Sequence, residues 1–515
     1  MTGQVLYMLM LYVLGWLLLV PARDLSRHCR CLLALFAGMM LWSCAVLLLL
    51  MVSVPVTPVT AVLFCAAGIG SVVWFFRRNV KVLVAEKAAE AAAFLSYAIC
   101  LVMVVLASYT WNYTILTPDS FKYVGIGMDI ARSGRFPPPG MDAESVSYFL
   151  KGVISFMPAL WAGACFFNID FCFTIFPVSA SWFLVVLVIL FVRLTDPVAV
   201  PWTARWVVGA CGAALLASVP SYWHHGCYVS ISLFTGIYFT VCIAGVFIYR
   251  ANRKLVWLVI AGASLSATTL LRREMGIFAA IPVAVLMGTK GLDRKHYATF
   301  MVVFLALSVP WQCYRFRLAG FGDAHPARAL VQVLPYIAYG FSYVLVHFKW
   351  CRQKLAVLVP DIMVATLLVF VITFMFVGKR GMLRSVVGLL NIFSSPTGFI
   401  EGGDAGFIWL TMLMVGVANL FFLRSDYCNM WLRALVAFFC IRLGIYAFDT
   451  FFTNPAVNQY NSGNRMLVHI MPTAVLFIVL CVGHGLAQVC EGRAGVRDSR
   501  GDVPEKPKAQ DGLLT

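Results

Sequence analysis

TPDSFKYVGIGMDIARSGRFPPP, residues Thr117–Pro139, is the first long polar segment in a chain that is otherwise almost continuously apolar. Asp119 opens it. Lys122, Asp129 and Ser133 fall on one side of a predicted helix, and Phe121, Val124, Met128 and Ala131 recur at the spacing of an interfacial helix face. Gly134 and the run Pro137, Pro138, Pro139 end it. Helices on either side therefore hold this segment at one membrane face. Taken alone, Asp119 reads first as an N-cap accepting a backbone N–H and only second as an acid–base group.

Working outward, the 515-residue chain is 62% hydrophobic and 12% charged, with a mean hydropathy of +0.88. A soluble domain carries about twice that charge fraction. A span needs roughly 20 apolar residues, and the pattern predicts an all-α polytopic membrane protein with about 13 full transmembrane helices plus a short helical hairpin. Gln4–Val20, Leu32–Ser53, Val59–Phe76 and Ala91–Trp111 precede the polar segment. Cys172–Val192, Trp206–Tyr222 and Tyr228–Tyr249 follow it. Leu255–Leu271 and Met275–Gly288 are short for full spans and form the hairpin. Tyr297–Gln312, Leu330–Phe348, Leu355–Val377, Gly406–Leu423, Trp431–Phe452 and Met466–Leu486 complete the set. The expected organisation is residues 1–90 as additional N-terminal helices with a basic loop, and 91–486 as the main membrane domain with an outer loop at 112–171. Residues 487–515 form a polar tail expected to be disordered.

Gln4–Val20 lacks a basic flank and a cleavage site, so it reads as a span and not a signal peptide. The 16 cysteines mostly sit inside apolar runs, and Cys29-x-Cys31 is too tight for a zinc site, so they read as small core residues. The net charge of +17 is spread over short inter-span loops. That is a topology signal and not a nucleic-acid surface. Placing the loop at 77–90 in the cytoplasm puts 112–171 outside, and the basic residues then favour the inner side by roughly two to one. A bacterial inner or plasma membrane, with the site facing outward, is the expected location. No Walker-type loop and no inverted repeat is visible.

Charge in or beside lipid marks functional candidates. Besides Asp119, these are Asp142 and Glu144 after the proline run, and Arg272, Arg273 and Glu274 at the hairpin apex. The basic outer loop with Lys379 and Arg380, and Arg465 entering the last span, complete the list. Glu274 can pair with one apex arginine, and a lipid phosphate suits the other. His224 and His225 read as interfacial histidines.

In this order the segments resemble the GT-C superfamily of polytopic glycosyltransferases, which includes protein O-mannosyltransferases and lipid A aminoarabinose transferases. The matching features are Asp119-Ser120 with Tyr123 and Ala131-Arg-Ser-Gly134, then the re-entry Phe156-Met-Pro-Ala-Leu160. Leu271-Arg-Arg-Glu-Met-Gly276, Pro310-Trp311 to Arg315, and Asn464-Arg-Met-Leu467 with Pro472 follow. Ser120 stands where such proteins often carry a second acid. The resemblance implies transfer of a sugar from a polyprenyl-phosphate donor to a glycan, lipid or protein acceptor, with membrane lipids around it and no nucleic-acid partner. Asp119 would be the general base. Tyr123, Asp142, Glu144, Arg272, Arg273, Glu274, Lys379, Arg380 and Arg465 would contact substrate. A divalent cation, Mg or Mn, held by Asp119 with Asp142 or Glu144, stays open. So do two other functions: a transporter or flippase of a lipid-linked sugar, and a non-catalytic subunit of the same fold.

Overall fold

The computed structural model describes residues 2–75, 87–110, 118–137, 156–169, 174–198, 200–227, 231–272, 274–319, 326–350, 399–400, 403–404, 406–452 and 459–499, with isolated positions at 354, 365, 368 and 372. In chain order its first helices are α1 (Thr2–Leu19), α2 (Arg27–Met51), α3 (Pro58–Phe75), α4 (Lys87–Thr110), α5 (Pro118–Ser133), α6 (Phe156–Cys165) and α7 (Ile175–Leu194). Next come α8 (Trp202–Ala217), α9 (Pro220–Cys227), α10 (Ser232–Asn252), α11 (Leu255–Leu271), α12 (Met275–Phe278), α13 (Ala280–Met287), α14 (Arg294–Ala319) and α15 (Pro326–His347). A two-residue antiparallel pairing, β1 (Phe399–Ile400) with β2 (Gly403–Asp404), precedes α16 (Gly406–Ala418), α17 (Asp426–Phe452) and α18 (Gln459–Ser499).

The architecture is that of a helical polytopic membrane protein. Among the described residues seven helices are long and apolar enough to cross a membrane, or eight if α8 and α9 count as one bent span. This falls short of the expected count for two reasons. Several expected spans are shorter as described, at Pro58–Trp74, Val333–His347 and Phe407–Leu423, and Leu355–Val377 lies almost wholly outside the described residues. The small β pairing and a π-helical turn at Asn419–Leu423 are the described departures from α-helix among the regular elements. The last helix runs to Ser499, past Leu486 where the apolar run ends.

Helix α10 is the centre. Every residue of its apolar window is buried, as expected of a helix that is apolar on all sides. It packs against α7, α11 and α18, and its Tyr238 hydroxyl donates to the Phe36 carbonyl of α2 at 2.7 Å. By contrast α3 and α4 expose Val62, Leu63, Leu95, Ile99 and Met103, the surface that lipid solvates.

The N-terminal helices are joined to this body. Gly15 and Gly38 let α1 and α2 cross backbone to backbone: a Cβ at Gly38 would lie 1.7 Å from the Leu11 carbonyl oxygen. The pair then holds the short helix α6. Tyr7 donates to the Leu160 carbonyl, Trp42 Nε1 to Ala159 at 3.2 Å and Ser43 Oγ to Phe156 at 3.3 Å. Such bonds anchor a short helix to its neighbours where no water competes for the donors. At the other end of α2, Arg30 grips both Glu90 oxygens of α4, at 3.1 and 2.6 Å, and donates to the Leu25 carbonyl at 2.9 Å.

Candidate functional site

Helix α5 carries the polar segment. It begins at Pro118, so Asp119 occupies the second helical position and is not the N-cap. Proline suits the first position because its missing N–H has no helical partner there. At the far end Gly134 takes φ +68°, the left-handed conformation that closes helices cheaply only for glycine. Its N–H reaches Ile130 at 2.8 Å, and its carbonyl accepts from Val56 N–H at 2.8 Å. The segment is thereby tied to the turn between α2 and α3. Ser133 Oγ donates to the Asp129 carbonyl at 2.6 Å. One face of α5 lies on α6 so closely that a Cβ at Gly127 would meet Trp161 Cβ at 2.5 Å. Tyr123, expected to touch substrate, is buried in the apolar core. Helix α6 in turn touches α11, which connects the segment with the second polar region.

That region is built where two helices break. Helix α8 stops at Ala217, and α9 leaves at 71°, so Trp206–Tyr222 is not one straight span. The cause is Pro220, which cannot continue the helix. Trp223 Nε1 bonds the freed Ala217 carbonyl at 2.6 Å, and the Tyr222 hydroxyl bonds the Ala180 carbonyl at 2.7 Å. This anchoring turns His225 inward. It is fully buried, away from the surface that an interfacial histidine would share with lipid headgroups.

The second break is the predicted hairpin. Helix α11 ends at Leu271, Arg272 is extended (φ −143°, ψ 125°), and the chain resumes as α12. The return limb is itself divided at Ala279 into α12 and α13. Tyr339 of α15 steadies it through the Gly276 carbonyl at 2.6 Å. Arg272 donates from Nη1 to Glu274 Oε1 at 3.0 Å and from Nη2 to Ser232 Oγ at 3.1 Å. Its Nε is buried and meets no hydrogen-bond partner among the described residues. Ser232 starts α10, whose N-terminus has no side-chain cap. The partial positive charge of that helix end therefore adds to the guanidinium.

Helix α18 runs parallel to α10 in steps of one turn. Thr240 and Thr473 hydroxyls bond at 2.9 Å. One turn earlier, Gly236 faces His469, a Cβ there lying 3.4 Å from the His469 Cα. One further turn brings position 465 level with Ser232 and hence with Arg272. His469 is fully buried, and neither of its ring nitrogens meets a hydrogen-bond partner among the described residues. Both Arg272 and His225 lie within electrostatic reach of it. The β1–β2 pairing lies over this place, β2 beside α9 and β1 beside α18. Arg442 of α17, buried with 4% of its surface exposed, belongs to the same level. Phe438, one turn before it, stacks on Phe278 at 4.4 Å, and Glu274 stands one turn before Phe278.

The structure thus brings Arg272 and Glu274 together, with position 465 at the same level; α5, whose first turn holds residue 119, packs on α6, and α6 touches α11. Asp142, Glu144, Arg273, Lys379 and Arg380 lie outside the described residues, as do the side chains of Asp119 and Arg465. Among the described residues no three His, Cys, Asp or Glu side chains group as metal ligands, and the cysteines are unbridged. The sequence reading marked none of His469, Arg442 or Ser232 as site residues and gave His225 only an interfacial role. Arg442 and His469 did carry a signal, since each is a polar group inside an apolar run.

No family model matches the sequence, and no curated protein matches it. Among solved structures, the archaeal oligosaccharyltransferase AglB from Archaeoglobus fulgidus, in complex with an inhibitory peptide and a dolichol-phosphate, is similar over 79% of this chain and 52% of that one. The identity is 15% and the TM-score 0.42. The chain spans about half the length of that protein.

Proposed function

We propose that the protein is a membrane glycosyltransferase that moves a sugar from a polyprenyl-phosphate donor to a glycan, lipid or protein acceptor at the outer membrane face. The observation that carries this reading is Arg272. It is a cation at a helix break inside the bundle, with one carboxylate partner, one hydroxyl partner and a buried Nε still able to donate. A group of this kind suits a phosphate ester, because guanidinium donors strengthen as charge develops on the leaving oxygen in a dry site. Residue 119, the general base of this reading, lies in the first turn of α5.

In this mechanism Asp119 takes the proton of the acceptor hydroxyl as its oxygen attacks the anomeric carbon. The bond from that carbon to the phosphate oxygen breaks, and the electron pair leaves on the phosphate, which Arg272 and Arg465 stabilise. Arg273, Lys379 and Arg380 are further cations for the same phosphate. Asp142 and Glu144 position the acceptor or, with Asp119, hold a divalent cation. The test is transfer from polyprenyl-phosphate sugars by the Asp119→Asn variant, with a loss of about 100-fold or more expected for a general base. Undiminished transfer by a folded variant removes Asp119 from the mechanism.

One observation favours a second reading. The bent pair α8–α9 and the apex of the α11–α12 hairpin contribute His225 and Arg272 to one polar cluster around His469, and transporters build midplane sites from interrupted helices. A flippase of the same lipid would move the donor between leaflets unchanged.

A further inference from the structure

The strongest feature left without a role is His469. A buried imidazole with both nitrogens unpartnered is costly, and such groups call for an explanation. Its surroundings narrow the choice. Arg272 Nε, also buried and without a described hydrogen-bond partner, lies about one helical turn away, by the register that sets His469 against Gly236 and Arg272 on Ser232. The N-terminus of α10, where Ile231 offers no side-chain cap, is at the same level. Glu274 at this level is already engaged by Arg272 Nη1, and the β2 strand beside α9 carries Asp404. Donors and positive potential therefore converge from three elements, α10, α11 and α18. The complementary ligand is an anion that can accept several hydrogen bonds in a water-poor place.

We propose that His469 and the Nε of Arg272 form one buried binding site for the phosphate ester of an isoprenyl lipid, with His469 donating a hydrogen bond to a phosphate oxygen. A neutral imidazole has one N–H to give, so no change of protonation is required. The isoprenyl identity rests on the transferase reading, while the anion chemistry rests on the side chains alone. His469 is a binding residue here. It fixes the phosphate that Arg272 holds, one turn deeper in the bundle than the hairpin apex.

The experiment is equilibrium binding to the full chain in phosphatidylcholine nanodiscs, with farnesyl phosphate, farnesol and inorganic phosphate as probes. The wild type is expected to bind farnesyl phosphate at least tenfold more tightly than either other probe. His469→Phe keeps the volume and removes the donor, and should weaken farnesyl phosphate by about tenfold or more, the usual effect of a hydrogen bond to a charged group. His469→Gln restores a donor and should recover part of that loss. His484→Gln, near the other end of α18, should leave binding unchanged. Equal affinity in wild type and a folded His469→Phe overturns the site. So does equal binding of farnesol, which would assign affinity to the tail, or of inorganic phosphate, which would make the ligand a free anion. The two proposals separate cleanly. Transfer by the wild type with affinity indifferent to His469 ends this one alone. Farnesyl phosphate held through His469 without any transfer ends the transferase reading alone.

Discussion

The two polar regions of this protein are made in opposite ways. The segment on α5 is contiguous in sequence, and short-range devices shape it: Pro118 at its start, Gly134 at φ +68° at its end, and Ser133 bonded to Asp129. The cluster at the α11–α12 break has no local signature. Arg272, Ser232, His225 and His469 come from four parts of the chain, and two of them are single polar residues in apolar runs. In a lipid-solvated protein, polarity that is dense in sequence marks the surface. Polarity that is sparse in sequence can be the denser in space, because only its partners make it affordable.

This difference predicts where substitutions act. The α5 segment depends on scaffolding, so its weak points lie in the helices that hold it. Gly38→Ala puts a Cβ 1.7 Å from the Leu11 carbonyl oxygen, which forces α1 and α2 apart. The expected cost is about 3 kcal/mol or more, the upper range for overpacking, seen as a lowered melting temperature in detergent with α6 loosened. A wild-type melting curve would show that the N-terminal helices do not support the segment. The cluster depends on its donors instead. Arg272→Gln should reduce sugar transfer by about 100-fold, the effect of losing one oxyanion donor, while melting changes far less than in Gly38→Ala. If Arg272→Gln is the more destabilised of the two, the arginine is a structural pair with Glu274 and the contrast fails. The smallest effect is Trp42→Phe, which removes the bond to the Ala159 carbonyl and should cost about 1 kcal/mol. No loss there would assign the support of α6 to Tyr7 and Ser43.

Much of the fold was legible because lipid imposes simple rules. Apolar run lengths located most of the described helices, and the short runs on either side of Arg272 correctly pointed to a hairpin. The bend at Ser218–Val219 was less visible, since apolarity continues through it. Pro220 was the clue, together with a tryptophan able to satisfy the Ala217 carbonyl. Within the site, the Arg272–Glu274 pair was foreseen from adjacency. His469 was not, because its role depends on a parallel register between α10 and α18, two helices far apart in the chain. His225 was misplaced for a related reason: its exposure is set by the direction in which α9 leaves the bend.

Whether the chain transfers a sugar or carries it across is decided most directly in proteoliposomes loaded with a panel of radiolabelled polyprenyl-phosphate monosaccharides and an extract of membrane acceptors. The account predicts release of free polyprenyl phosphate with label on a new acceptor in the wild type, and neither in the folded Asp119→Asn variant. Intact donor recovered on the opposite leaflet, with no polyprenyl phosphate released, would contradict it.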